Sequence, residues 1–267
     1  MGTTPLVVSF GGGVNSAALL IGMRERGIRP DIILFADTAG EKPETYRFVK
    51  AMDGWLSSNG FPSIVTVKND GMYDSLESDC LTRRTLPPIV MGWRTCSDKY
   101  KKRPIEKYLK AHDSFPCVMA VGIDAGERHR LGDFDTATVT YQYPLVEWSW
   151  GRRECVEAIA RAGLAVPVKS ACFFCPSSKP HEIVRLAKDH PDLFERATAM
   201  ERNATGLFVK GLGRHWSWTQ VIEADRNQLK MFVEPEPITC MCFDGEDDPA
   251  DSSVSEPQLN PKKGSHE

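Results

Sequence analysis

From residue 6 to residue 123, short apolar runs alternate with segments of helical spacing, and that order leaves few folds open to the chain. Residues 6–10, 31–37, 63–67 and 117–123 read as buried strands. Residues 15–26 place Ala17, Leu20 and Ile21 on one helical face and Arg24 and Arg26 away from it, with Gly27 as the stop. Residues 43–56 form the next helical segment, with Pro43 in the first turn, where a missing N–H costs nothing. Helical patterns recur at 104–110, 152–162, 179–188 and 192–203. Strands joined by helical crossovers run parallel and need cover on both faces. The expectation is an α/β fold, an open and mostly parallel sheet with helices on both faces, plus a cysteine-containing C-terminal helical region.

The chain's 267 residues, 41% of them hydrophobic, can bury a substantial core. Residues 244–267 differ: seven acidic residues, two lysines, three prolines and no aromatic residue read as a solvated, disordered tail. The tail carries −5 of a whole-chain charge of −3, which leaves the body at about +2, mildly basic despite an acidic pI. The expected organisation is a nucleotide-binding domain with a helical extension over 1–243, then the tail. No apolar run is long enough to cross a bilayer and the N-terminus has no signal-peptide pattern, so a soluble, cytoplasmic protein is expected. Eight cysteines in that setting point to metal binding or catalysis rather than to a disulfide framework.

The segment "SFGGGVNS" joins the first strand to the first helix. A glycine loop entering a helix N-terminus offers backbone amides and a positive dipole end to an anion, and phosphate is the obvious guest. An ordinary glycine-rich turn is the structural alternative. No Lys-Ser/Thr ends this loop, as a Walker sequence requires, and the glycine spacing is not that of the dinucleotide fingerprint. On this reading Gly12→Val blocks the anion and leaves the fold intact. Ligands of parallel sheets bind at the carboxyl ends of strands. "SFGGGVNS", "ADTAGEKPET" and "GIDAGERHR" all follow strands, so the three should gather on one edge.

These segments, with "RTCSDKYKKRPIEKYL", "YPLVEWS" and "SACFFCPSS", resemble in chain order the motifs of the PP-loop ATP-pyrophosphatase and phosphoadenosine-phosphosulfate reductase superfamily, which has an adenine nucleotide alpha-hydrolase-like fold. Together they cover most of residues 6–190. The resemblance implies an adenine nucleotide, ATP or phosphoadenosine phosphosulfate, held by Ser9, Gly11, Gly12, Gly13, Asn15 and Ser16, with magnesium as a companion ion. It adds Asp37 and Thr38 after the second strand, and Gly122, Glu127, Arg128 and Arg130 after the fourth. Asn15 stands where the superfamily's loop has aspartate, which removes a charge that metal-linked roles would use. Arginines suit bidentate phosphate or sulfate recognition, and a helix cap is the structural alternative for Asp37.

Cys172 and Cys175 form a Cys-x-x-Cys turn framed by Pro167 and Pro176. Such a pair suits zinc, an iron–sulfur cluster or redox chemistry; two buried small hydrophobes are the structural alternative. A third ligand must come from elsewhere, and Cys96 stands where iron–sulfur members of the superfamily carry a Cys-Cys pair. The resemblance thus implies a 4Fe-4S cluster on Cys96, Cys172 and Cys175, which are also the candidate catalytic residues. With only three cysteines, one iron would be open to exogenous sulfur. Cys80, Cys240 or Cys242 could supply a fourth thiolate, and Cys117 and Cys155 read as core. The reductases' terminal Glu-Cys-Gly-x-His segment has no match in "ITCMCFDGEDD". That ranks an ATP-dependent sulfurtransferase, served by a sulfur donor protein or small thiol, above a sulfonucleotide reductase. A nucleotide-binding module with structural zinc is the third alternative. Lysines and arginines over 94–110, with Trp216 and Trp218, are candidate contacts for tRNA or DNA; a solvated helix face and core tryptophans are the preferred alternative.

Overall fold

The computed structural model describes residues 4–226 apart from Arg94, Asp133 and Leu207. The acidic tail, Cys240 and Cys242 lie outside the described residues. The elements follow in order: β1 (Leu6–Ser9), α1 (Val14–Glu25), β2 (Ile32–Asp37), α2 (Pro43–Ser58), β3 (Ile64–Lys68) and α3 (Leu76–Thr82). A 3-10 turn (Pro88–Met91) leads to the short α4 (Thr95–Ser97), a π-helical turn (Asp98–Lys102) and α5 (Arg103–Ala111). Then come β4 (Cys117–Val121), a 3-10 stretch (Ala125–Arg130), β5 (Val139–Gln142), α6 (Pro144–Glu147), α7 (Arg152–Arg161), α8 (Pro180–Asp189), α9 (Pro191–Asn203) and α10 (Trp218–Arg226).

All five strands are parallel, in the order β3-β2-β1-β4-β5. The α/β expectation holds. From β1 the chain moves outward to β2 and β3, then returns to lay β4 on the other flank of β1. The switch point of the sheet is therefore between β1 and β4, and a crevice opens there beyond the strand ends.

Side-chain alternation divides the core. Val8, Ile33, Phe35 and Ala120 face α1, α2 and α7, whereas Val7, Leu34, Ala36, Met119 and Val121 face Ile105 and Leu109 of α5. Cys117 and Cys155 belong to these cores, as the sequence suggests. Helix α1 is buried all round through its first ten residues because it is wedged between the sheet and α7. A separate core joins α3, Tyr100 of the π-helical turn and helices α8, α9 and α10. Among the described residues no helix is long and apolar enough to cross a membrane.

Candidate functional site

The loop after β1 stays bare because its neighbours leave no room. Gly12 has φ +80°, and a Cβ there would lie 3.1 Å from Thr45 Cγ2. A valine at Gly12 would strain the backbone and aim its side chain at Thr45, Val49 and Phe35, so Gly12→Val acts on the packing of the loop as well as on any anion it holds. Gly13 caps α1 without a side-chain hydrogen bond, and the first turn holds no acidic residue, so the amide end of the helix faces the crevice uncompensated. The Ser16 hydroxyl donates to Gly13 O at 3.2 Å, and Ser9 ends β1 half-buried.

The loop after β4 closes on this one from the other side of the switch point. A Cβ on Gly122 would lie 2.7 Å from the Ser16 amide nitrogen, so the two strand ends touch through this glycine. Asp124 Oδ1 accepts from the Gly126 and Glu127 amides at 2.8 and 3.2 Å, which turns Glu127 back toward α1. Asn15 Nδ2 donates to Glu127 Oε2 at 3.0 Å, and Arg130 Nη1 donates to Glu127 Oε1 at 2.5 Å. A carboxylate beside the loop thus meets an amide at position 15, where a second carboxylate would repel it. Arg130 is buried, but Arg128 is exposed and directed to Val146 O at 3.4 Å.

Asp37 is spent on its own surroundings. It accepts from the Ala39 amide and the Tyr46 hydroxyl, each at 2.8 Å, and pairs with Lys68 at 3.2 Å. Thr38, the next residue, faces the thiols: its hydroxyl lies 3.1 Å from Cys172 Sγ. Glu41 forms an isolated antiparallel bridge with Cys172, and the Phe173 amide donates to Gly40 O at 2.7 Å. The neighbouring Ser170 hydroxyl donates to Gly11 O at 2.6 Å and Glu41 Oε2 at 3.2 Å. The Cys-x-x-Cys segment is thereby pinned to the glycine loop at one residue and to the end of β2 at the next. Burial pushes the Glu41 carboxyl above its ordinary value, an effect opposed by the Lys101 charge.

Cys96, Cys172 and Cys175, nominated from widely separated parts of the sequence, line one cavity of about 30 Å³ together with Thr38 and Lys101. Its other walls are largely apolar, among them Leu76, Ile89 and Phe174. Three thiols without a carboxylate or imidazole on the wall are a soft donor set, of the kind that holds iron–sulfur centres. Among the described residues no three His, Cys, Asp or Glu stand close enough to hold one metal ion, so a single zinc has no ready site. A larger group would have to widen the cavity. Cys80 is buried beside Cys96, and burial with the Asp79 charge pushes its thiol up to about 12, so it is held protonated.

The proposed nucleic-acid contacts fare differently. Trp216 and Trp218 are buried in the third core and cannot stack on bases. Within the basic stripe, Lys99 pairs with Asp79 at 2.6 Å, Arg103 with Asp98 at 2.8 Å, and Lys107 with Asp70; Arg94 lies outside the described residues. Sequence reasoning missed Glu41, Asp124 and Ser170, and it put Lys101 in the basic stripe rather than beside the thiols. Only Asp124 carried a signal, as a cap residue ahead of "AGER".

An open parallel sheet with a bare amide loop at its switch point makes this an α/β protein of the doubly wound, ligand-binding kind. No protein-family model matches the sequence, and no curated protein matches it. Solved structures do match. One is a phosphoadenylyl-sulfate reductase from Candida auris, 16% identical over 61% of this chain and 75% of that one, with a TM-score of 0.45. A second is the U34-tRNA thiolase NcsA from Methanococcus maripaludis with its 4Fe-4S cluster, 15% identical over 77% and 74%, TM-score 0.47. A third is the NMN synthetase from Francisella tularensis, 12% identical over 87% and 90%, TM-score 0.42.

Proposed function

We propose that this chain is a PP-loop adenine-nucleotide enzyme, an ATP-dependent sulfurtransferase acting on a nucleobase or nucleic acid. One observation carries the reading: the residue that bonds the glycine loop, Ser170, stands two positions before Cys172, so the anion loop and the thiol cavity meet on one short segment of chain. A site designed only to bind a nucleotide has no need of three thiols at that position.

In this mechanism the amides of the Gly11–Gly13 loop and the start of α1 hold the phosphates and stabilise charge that develops on departing pyrophosphate. An acceptor carbonyl-type oxygen attacks the α-phosphorus, pyrophosphate leaves, and the oxygen becomes an adenylate. Hydrosulfide, supplied free or released by a donor protein or small thiol, then attacks the carbon that bears this oxygen: a C–S bond forms, the C–O bond breaks and AMP leaves carrying the oxygen, with no change of oxidation state. Glu127 orients the Asn15 amide beside the loop, while Thr38 and Lys101 set the polarity around the thiols. Cys96, Cys172 and Cys175 are the residues that would hold an iron–sulfur cluster, whose open iron supplies a binding position for exogenous sulfur. Magnesium would accompany the ATP phosphates.

The test incubates anaerobically purified protein with ATP, sulfide and a tRNA or DNA acceptor, and separately with phosphoadenosine phosphosulfate. We expect AMP, pyrophosphate and a thiolated acceptor. Cys96→Ser should lose bound iron and sulfur transfer together, because two thiolates do not retain a cluster, whereas Cys240→Ser and Cys242→Ser keep both. Sulfite release that depends on Cys240 or Cys242 would replace this reading with a reductase. Bound zinc with no turnover would leave a binding module.

A further inference from the structure

A cavity of about 340 Å³ opens where three helices begin, next to the segment that leads into the Cys-x-x-Cys turn. The first turns of α2, α7 and α8 contribute Glu44, Arg152 and His181 to its wall. Four basic side chains, Lys42, Arg152, Lys169 and Arg185, share it with three carboxylates. Each carboxylate is already engaged: Glu44 with His190 at 2.7 Å, Glu182 with Lys169 at 3.1 Å, and Asp189 with Arg185 at 3.3 Å. Glu182 Oε2 also accepts the Lys179 amide at 2.7 Å. Four cationic side chains against three carboxylates leave the wall one positive charge in excess. A volume near the lower end of ligand pockets, about 300–1,000 Å³, has room for a phosphate and part of what carries it.

The position of the cavity separates it from the glycine loop. Glu41 and Ser170 turn toward the loop, where they bond each other and Gly11. Their chain neighbours Lys42 and Lys169 line the cavity instead. A phosphate held by the loop amides is thus partitioned from these lysines by two backbone segments and a buried carboxyl. We infer that this cavity is a second anion site, which takes a phosphate of the sulfur acceptor rather than one of the activating nucleotide. Its assignment to an acceptor rests on the function proposed above; the anion site itself does not.

Equilibrium dialysis of the full chain against labelled inorganic phosphate, with a non-hydrolysable ATP analogue at saturation, tests the inference. Wild-type protein should still bind one phosphate saturably. Lys42→Gln and, as an independent variant at the exposed rim, Arg185→Gln should each weaken that binding about tenfold or more while leaving the analogue's affinity within about twofold. Thermal unfolding checks that both variants fold. A 5′-phosphorylated oligonucleotide that releases the label marks a nucleic-acid acceptor, and a nucleoside monophosphate that does so marks a small one. Phosphate displaced one for one by the analogue, or binding indifferent to both variants, overturns the site. If the analogue fails to bind while Lys42-dependent phosphate binding persists, the proposed function falls and the anion site stands.

Discussion

Gly122 lacks a side chain because the first turn of α1 occupies the place where one would sit. A Cβ would meet the Ser16 nitrogen at 2.7 Å and the Asn15 carbonyl carbon at 2.8 Å, and backbone atoms cannot swing aside as a side-chain tip can. We expect Gly122→Ala to cost about 1–3 kcal/mol of stability, the usual range for overpacking. Displacing the amides of α1 should also weaken ATP binding about tenfold. Urea unfolding and calorimetry measure the two effects, and an unchanged affinity would mean that β4 does not clamp the loop. The resemblance nominated Gly122 as a nucleotide contact, yet its necessity comes from packing across the switch point. That contact joins residues far apart in the chain, so nothing local in "AVGID" announces it. Asp37 shows the converse: a suggestive position after β2 whose carboxylate is consumed by Tyr46, Lys68 and the Ala39 amide.

Helix α9 holds the loop that follows it through one acidic side chain. Glu201 Oε1 accepts the Leu212 and Trp218 amides at 2.6 and 3.0 Å, seating Trp218 at the start of α10. Burial raises its carboxyl above the usual 4.5, despite those two hydrogen bonds. Between 4.5 and the raised folded value, the folded chain binds more protons than the unfolded one, so stability falls as pH rises through that window. Glu201→Gln keeps the accepting oxygen and removes the ionisation, and should flatten this part of the pH–stability curve. Glu201→Ala leaves two amides unanswered and should cost about 1–3 kcal/mol at low pH. Chemical denaturation at several pH values tests both; parallel curves for wild type and Glu201→Gln would place the titration elsewhere. Strands β1 to β4 and helices α1, α2, α5, α7, α8 and α9 were legible because their apolar runs or helical spacing serve one core. β5 was not, since only Val139 of this edge strand is buried. The loop before α10 bears out the preferred reading of Trp216 and Trp218 as core residues, but the buried glutamate that organises it has no signature in the sequence.

Across the whole molecule, two packing units meet at the thiols. The sheet and its helices carry the glycine loop, while the core built from α3, the π-helical turn and α8 to α10 carries Cys96 and the Cys-x-x-Cys turn on its margin. Six motifs in order made the first unit and the identity of the three thiols readable. Their common cavity, the Glu41–Cys172 bridge and the cationic pocket arise from how distant segments fold together, and were invisible before that.

The bridge has a thermodynamic consequence. Two ligands that share one short segment of chain cannot bind independently if either one shifts it, and the factor by which the first alters the second must be returned in full. Cadmium, a soft probe for thiols, should change the affinity of an ATP analogue by about fivefold or more, a typical coupling. The analogue should change the affinity for cadmium by the same factor and in the same direction. Two titrations, each run with and without the other ligand, close the cycle. A common factor of one would mean that the segment transmits nothing. A larger factor would make occupancy of one site a gauge of occupancy of the other.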